Sequence, residues 1–230
     1  VNTHTITLQV SDELGESCTK FIEYTVGTAP SISIDGPSDG AVLTEGSPIV
    51  FSAFVTDNED QPDDITLAWS VNGNLFSNQS ATSSGTATFS DDTLSYGSYN
   101  LVVTATDPAG LTDVDQINFT VNGLPTAPVV EIAPVSPTTT DTLTVSIVTP
   151  SIDPEGSTPT YSYEWQLGGQ TQASYTASSL SSSATLKGEQ WTVVVTPNDG
   201  LTDGIPAQAN SVTIVNTAPV LTSVVVTPNP

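Results

Sequence analysis

The chain has 230 residues, of which 25 are acidic and only Lys20 and Lys187 are basic, so its formal net charge at pH 7 is −23. This charge excludes nucleic acid and anionic membrane surfaces as partners, because both are bound through clusters of basic side chains. No segment approaches the roughly 18 consecutive apolar residues of a membrane-spanning helix, and the single cysteine, Cys18, excludes a disulfide within the chain.

Apolar and polar residues alternate in short segments, which predicts an all-β chain. Residues 65–71 alternate Ile, Leu, Trp and Val with Thr, Ala and Ser, so the apolar set lies on one face of a strand, and residues 160–167 repeat this pattern. Clusters of Gly, Pro, Asn and Asp separate such segments, as in an antiparallel sandwich. In chain order, the predicted strands cover residues 5–10, 19–26, 31–34, 49–56, 65–71, 86–89, 98–106, 114–121, 129–133, 141–149, 160–167, 173–178, 190–196 and 211–215.

A repeat with a period of about 95 residues divides the chain. The recurring residues are Asp57, Glu59, Trp69, Tyr99 and Asp107 in one repeat and Asp153, Glu155, Trp165, Trp191 and Asp199 in the next. The repeat predicts two complete domains, residues 28–122 and residues 123–216. Residues 1–27 are then the C-terminal part of a preceding repeat, and residues 217–230, with a strand over 220–227, are the first strand of a following one.

Each repeat presents the same features in the same order: an acidic turn, a strand containing Trp, a strand that starts after Gly with Tyr or Trp, and a Thr-x-x-Asp turn followed by Gly. In the second repeat these are residues 153–156, 163–165, 191 and 196–200. This order resembles the tandem immunoglobulin-like repeats of bacterial and archaeal surface proteins, a group that includes polycystic-kidney-disease-type and cadherin-like modules. The resemblance implies immunoglobulin-like β-sandwiches in an extended array, exposed at the cell surface.

The acidic residues concentrate in loops that an immunoglobulin-like sandwich places at one end. The candidate metal ligands are Asp57, Glu59, Asp60, Asp107 and Asp113 in the first complete domain and Asp153, Glu155, Asp199 and Asp203 in the second. Clustered carboxylates repel one another and favour a bound cation, and Ca²⁺ takes six to eight oxygen ligands from loops of this composition. We therefore expect calcium between these loops and the preceding linker, where it stiffens the domain junction.

Turn chemistry alone is the alternative interpretation of these loops. Residues 107–110 and 153–156 place Asp, Pro and Gly at the first, second and fourth positions of a type I β-turn, where Asp caps backbone amides without any ion. Residues 57–64 hold five acidic residues, more than a turn requires, so the first domain favours the metal more than the second does. Both interpretations stay open from the sequence.

The remaining candidate residues favour structural roles. Trp69 and Trp165 lie on the predicted inward faces of their strands and are expected to pack in the cores. His4 aligns with the start of a strand, where we expect it to pack rather than to react. Asn78 and Asn118 begin Asn-x-Ser/Thr sequences, which makes them candidate glycosylation sites.

We expect a non-catalytic protein, because the sequence offers no nucleophile–base pair, phosphate-binding loop or basic groove. The leading hypothesis is a structural segment of an extracellular adhesin or stalk, whose partners are the neighbouring repeats and whose Pro-containing linkers, residues 27–30 and 123–128, limit bending. One alternative is a subunit of a surface layer or filament in which like chains assemble by strand pairing. Another is an accessory spacer or carbohydrate-binding module of a secreted enzyme.

Overall fold

A computed structural model describes residues 2–225, apart from the side chains of Asn2 and Thr25. The chain divides into two compact units, with the boundary between Asn122 and Gly123. The described residues form strands and two 3₁₀ helices of three residues each, which confirms the all-β prediction. They include no helix with the length and apolar character of a membrane span.

The first unit begins with an antiparallel hairpin of β1 (Asn2–Ser11) and β2 (Ser17–Val26). Asp12 stabilises the connecting turn, because its Oδ1 accepts hydrogen bonds from the backbone N–H groups of Leu14 and Glu16, both at 2.9 Å. All described side chains of the hairpin are exposed.

A β-sandwich follows this hairpin in the first unit. Its strands are β3 (Ser31–Gly36), β4 (Ala41–Thr44), β5 (Ile49–Thr56), β6 (Thr66–Val71), β7 (Asn74–Ser80), β8 (Thr86–Asp91), β9 (Gly97–Thr106) and β10 (Thr112–Asn122), with a 3₁₀ helix over Pro62–Asp64. One sheet has the order β3-β5-β8, and the other has the order β4-β10-β9-β6-β7, in which β4 runs parallel to β10.

The core of this first sandwich follows from the alternation of its strands. Phe51 and Val55 of β5 are fully buried from one sheet, and Leu67 and Trp69 of β6 are fully buried from the other. This confirms the inward position of Trp69. A buried aromatic side chain such as that of Phe51 or Trp69 typically contributes about 3–5 kcal/mol relative to Ala, so burial of these side chains is a large part of what holds the two sheets together.

The second unit is another sandwich. Its strands are β11 (Val129–Ala133), β12 (Leu143–Thr149), β13 (Thr160–Leu167), β14 (Gln170–Thr171), β15 (Ser179–Leu180), β16 (Gln190–Asn198), β17 (Ala207–Gln208) and β18 (Val212–Thr213), with a 3₁₀ helix over Ser182–Ala184. The sheets have the orders β11-β12-β15 and β14-β13-β16-β17, and β18 also pairs with β16. Trp165 and Trp191 are buried between them, as predicted for Trp165.

The strand predicted over residues 173–178 is wrong. The backbone of this segment instead serves the buried Trp165: Tyr175 O accepts a hydrogen bond from Trp165 N at 3.5 Å, and Ala177 O accepts one from Trp165 Nε1 at 2.9 Å. Carbonyl groups of this segment thus bind Trp165 instead of forming the regular hydrogen bonds of a strand. The segment is flanked only by the two-residue strands β14 and β15.

The sequence also predicts a strand over residues 220–227. The structure shows no strand in the part of this segment that it describes, which ends at residue 225, and residues 226 and 227 lie outside the described residues. The assignment of residues 217–230 to a following repeat stays a prediction.

Candidate metal centre

Three aspartates converge at one end of the first sandwich. Asp57 directly follows β5, Asp60 lies three residues further along the same loop, and Asp107 directly follows β9 in the opposite sheet. Each residue offers a carboxylate oxygen, and these oxygens all lie within 4.8 Å of one another. The two sheets therefore position a group of three carboxylates, which we call the acidic triad.

Turn formation uses one oxygen of two of these side chains. Asp57 Oδ1 accepts hydrogen bonds from the backbone N–H groups of Glu59 at 2.7 Å and Asp60 at 3.0 Å. Asp107 Oδ1 accepts a hydrogen bond from Leu111 N at 2.7 Å. These bonds engage the Oδ1 atom of each carboxylate and leave its second oxygen outside the turn's hydrogen bonds.

The second oxygens are the unusual feature of the triad. Asp57 Oδ2, Asp60 Oδ2 and Asp107 Oδ2 are all shielded from solvent, and none accepts a hydrogen bond from a described residue. Asp107 as a whole is only 5% exposed. A buried carboxylate oxygen without a donor is strongly destabilising, and three together add mutual repulsion. A turn explains the Oδ1 atoms of Asp57 and Asp107, whereas no described donor accounts for the three Oδ2 atoms, which makes the triad a candidate cation site.

The ionisation of the triad reflects this repulsion. Burial, together with the negative charges of Asp57 and Asp107, raises the pKa of Asp60 above its ordinary value of 3.8. Burial also raises the pKa of Asp57, but hydrogen bonds from the amides of Glu59 and Asp60 outweigh it and place that pKa below 3.8. Burial and the neighbouring negative charges therefore act together against the ionised form of Asp60.

The donor set fits a hard divalent cation. The triad contains only oxygen donors and carries three negative charges when it is ionised, with no His or Cys in the group. Such a set is typical of Ca²⁺, which completes its shell of six to eight oxygens with backbone carbonyls and water. Zn²⁺ prefers nitrogen and sulfur ligands, so the chemistry of the residues favours calcium.

Two other predicted ligands of the first domain lie outside the triad. Glu59 turns toward the linker and accepts hydrogen bonds from Thr28 Oγ1 at 2.7 Å and Thr28 N at 3.3 Å. Asp113 lies within β10, where it accepts a hydrogen bond from Ile32 N of β3 at 3.0 Å. Glu59 therefore couples the acidic loop to the residues before the sandwich, and Asp113 ties β3 to β10.

The predicted ligands of the second domain do not form such a group among the described residues. Asp153 is 5% exposed, and its Oδ2 accepts a hydrogen bond from Ser157 N at 2.7 Å. Glu155 accepts one from Gly123 N, Asp199 from the amides that follow it, and Asp203 from Asn198 Nδ2. Asp153 Oδ1 is buried and lacks a described donor, but two neighbouring carboxylates do not accompany it.

Sequence reasoning missed the role of Asp115. This side chain accepts a hydrogen bond from Ile34 N at 2.7 Å, two residues along from the bond between Asp113 and Ile32. The spacing of two residues in a strand places both carboxylates on one face, which is the signal that could have identified them. The pair connects the two sheets of the first sandwich.

Both candidate glycosylation sites are exposed in strands. Asn78 lies in β7, at the edge of its sheet, and Asn118 lies in β10, between β4 and β9. Asn118 Oδ1 accepts a hydrogen bond from Asn100 Nδ2 at 3.2 Å. Modification of either residue stays a prediction.

Comparison with known families supports the fold. Residues 30–103, from the residue before β3 into β9, match the family model described as a bacterial Ig domain. The two sandwiches are tandem immunoglobulin-like domains. Domains of this family are typically non-catalytic, and their bacterial members are typically extracellular. No curated protein matches the chain significantly.

Several solved structures match the chain at low sequence identity. The fibronectin(III)-like modules of Clostridium thermocellum CbhA are 17% identical, with 81% of this chain and 95% of that chain covered and a TM-score of 0.38. The N-terminal eight Ig domains of Down Syndrome Cell Adhesion Molecule are 13% identical, with 93% and 31% covered and a TM-score of 0.44. Bacteroides ovatus SGBP-B, solved with a mixed-linkage heptasaccharide, is 17% identical, with 82% and 48% covered and a TM-score of 0.33.

Proposed function

We propose that the chain is a non-catalytic structural segment of an extracellular surface protein, an adhesin or stalk, and that calcium stiffens its first complete domain. The observation that carries the proposal is the convergence of three aspartates in the acidic triad, each of which has a buried Oδ2 atom without a described hydrogen-bond donor. A kinship with polycystic-kidney-disease-type or cadherin-like modules is part of this proposal, because such arrays space and orient the domains that they connect.

Calcium at the triad would also restrain the linker residue Thr28, because the loop that holds the ion contacts it directly. The ion would hold Asp57 and Asp60, and between them lies Glu59, whose carboxylate accepts two hydrogen bonds from Thr28. Asn58 adds a third contact from the same loop, since its Nδ2 donates to Thr28 Oγ1 at 3.3 Å. Ordering the loop therefore also orders the residues that lead into β3.

Thermal unfolding of the full chain tests the proposal, first in EDTA and then with added Ca²⁺. At a calcium concentration of about 100 times the dissociation constant, the native state gains about 2.7 kcal/mol. This corresponds to a rise of at least about 10 °C in the midpoint of a domain of this size. Hydrogen exchange of residues 57–64 and 107–111, followed by mass spectrometry, assigns the gain to the first domain.

Asp60→Asn and Asp92→Asn are the matched variants for this experiment. Both substitutions remove one negative charge, but Asp92 is exposed and lies outside the triad. Asp60→Asn should abolish the calcium-dependent rise, whereas Asp92→Asn should keep it. Identical unfolding of the unmodified chain in EDTA and in calcium would contradict the proposal.

A carbohydrate-binding module is a second candidate, supported by one cleft in the second domain. The cleft has a volume of about 350 Å³, and its lining includes Tyr163, Tyr175, Glu164 and Gln172, a combination of aromatic and polar groups that suits a sugar ring. NMR titration with neutral oligosaccharides tests this candidate. Shifts confined to this cleft and lost in Tyr175→Ala would favour it over the purely structural role.

A further inference from the structure

The β1–β2 hairpin has the same strand register as β9 and β10 of the first sandwich. Ile6 pairs with Ile22, and 95 positions later Leu101 pairs with Ile117. The same offset relates every pair recorded in both ladders. The hairpin therefore has the geometry of the last two strands of an immunoglobulin-like domain.

One face of the hairpin is mainly apolar and exposed, and we call it the hairpin face; it also includes His4, Cys18 and Lys20. It carries Ile6, Leu8, Val10, Ile22 and Tyr24, which are 60%, 64%, 61%, 69% and 44% exposed. Their counterparts in the first sandwich are Leu101, Val103, Ala105, Ile117 and Phe119, all of which are at most 7% exposed. Apolar residues at matching register positions are thus buried in the core of the first sandwich and exposed in the hairpin.

The first sandwich shows what covers a face of this kind. The facing sheet of β3, β5 and β8 packs against it, and the ring of Phe119 contacts the ring of Phe51 with centroids 5.9 Å apart. β6 pairs along the free edge of β9, and β4 pairs along the free edge of β10. The cover therefore consists of one facing sheet and two edge strands.

We propose that the hairpin face binds the facing sheet of another immunoglobulin-like repeat, and that the hairpin supplies the last two strands of that repeat. The partner offers an apolar sheet like that of β5 and β8, and it pairs a strand along each edge of the hairpin. A two-stranded hairpin is at best marginally stable in water, and open strand edges attract pairing. This partner would cover the apolar face and would form hydrogen bonds with both strand edges.

Lys20 specifies the chemistry of the partner further. It takes the position of Asp115, whose carboxylate accepts a hydrogen bond from Ile34 N at 2.7 Å and so ties β3 to β10. A lysine ammonium group donates hydrogen bonds and cannot accept one. The first strand of the partner must therefore present a carbonyl or carboxylate oxygen to Lys20, which distinguishes that strand from β3.

A fusion protein tests the proposal with residues 2–230 of the chain retained. Residues 30–96, the first sandwich without β9 and β10, are joined directly before Asn2, so that β1 and β2 occupy the places of the two missing strands. The probe is Cys18, the only cysteine in the chain and exposed in the structure. In the fusion, alkylation of Cys18 and hydrogen exchange of β1 and β2 should slow by roughly tenfold or more, because both then require local opening.

Two variants of the fusion make the outcome decisive. Lys20→Asp restores the acceptor that β3 requires, so it should slow exchange further, whereas the double variant Ile6→Ser and Ile22→Ser should return exchange to the rate of the unfused chain. Slowing in the fusion, with or without Lys20→Asp, supports the proposal. Unchanged rates in both fusions would overturn it, and so would a concentration-dependent dimer of the unfused chain that protects Cys18, since the occupant would then be a second copy.

Discussion

The two complete domains hold the residues before their first strands by partly different means. In the first domain, Thr28 is held by the side chains of Glu59 and Asn58, which belong to the same loop as two members of the acidic triad. In the second, Glu155, the counterpart of Glu59, also accepts a hydrogen bond from Gly123 N at 2.7 Å. Backbone bonds are added there: Ile205 N donates to Pro125 O at 2.9 Å, and Thr126 N donates to the loop after β12 at the same distance. We infer that only the first attachment depends on a cation.

The acidic loops themselves differ by one residue that matters. Asp57 and Asp153 occupy equivalent positions, and each uses one carboxylate oxygen to accept backbone hydrogen bonds. The place of Asp60 is taken in the second domain by Gly156, which adopts a φ of +86°. The turn is therefore common to both loops, and the third carboxylate is an addition specific to the first. A repeated Asp turn is consequently weak support for metal binding on its own.

The largest effect that separates the two domains should come from Asp107→Asn and Asp199→Asn, measured by thermal unfolding in calcium. Asn keeps the Oδ1 atom that caps each turn but removes the charge. Asp107→Asn should lose the calcium-dependent stabilisation of about 2–3 kcal/mol, whereas Asp199→Asn should respond to calcium like the unmodified chain. Equal responses of the two variants would show that the domains do not differ in metal binding.

Gly204→Ala should produce the next largest effect, and it tests the backbone attachment of the second domain. A methyl group at Gly204 would lie 2.7 Å from Pro125 Cβ and 2.9 Å from Pro125 C, closer than atoms pack. Overpacking of this kind costs about 1–3 kcal/mol, so the second domain should unfold at lower temperature. The loss should be the same in calcium and in EDTA. A loss seen only in EDTA would mean that a cation also supports this attachment.

The sequence predicts the cores better than the site, and particular residues show why. Alternation over residues 65–71 places Trp69 correctly, because the two-residue period of a strand determines which face is buried. β4 and β7 are missed, because both are mostly half-buried or exposed strands at the edges of their sheet, where alternation is weak. The alternation of apolar and polar residues reveals a strand only when one face of it is buried, so a strand with few buried side chains is not detected.

The composition of the triad lies beyond sequence reasoning for a related reason. Spacing brings Asp57, Glu59 and Asp60 to one loop, but the direction of each side chain decides which of them meets Asp107. Glu59 turns to Thr28, and Asp113, expected in a loop with Asp107, lies in β10 and accepts a hydrogen bond from β3. Those directions depend on contacts 31 and 81 residues away in sequence.

The smallest effect concerns pH, and it separates the domains without added metal. The pKa of Asp60 is raised in the folded state, so its contribution to stability is fully present below 3.8, its ordinary pKa, and is lost as pH rises through the raised value. In EDTA, the first domain should therefore become more stable as pH falls from 7 toward 4.

The second domain should show the opposite trend. Hydrogen bonds from Gln166 and Thr171 lower the pKa of Glu164 below its ordinary value of 4.5, so its contribution is present above 4.5 and is lost as pH falls through the lowered value. Hydrogen exchange of each domain between pH 4 and 7, corrected for the intrinsic exchange rate, measures both trends. Asp60→Asn should remove the gain in stability of the first domain at low pH and leave the second domain unchanged. If the gain persists in Asp60→Asn, it arises from other carboxylates, and the case for a charged triad is weaker.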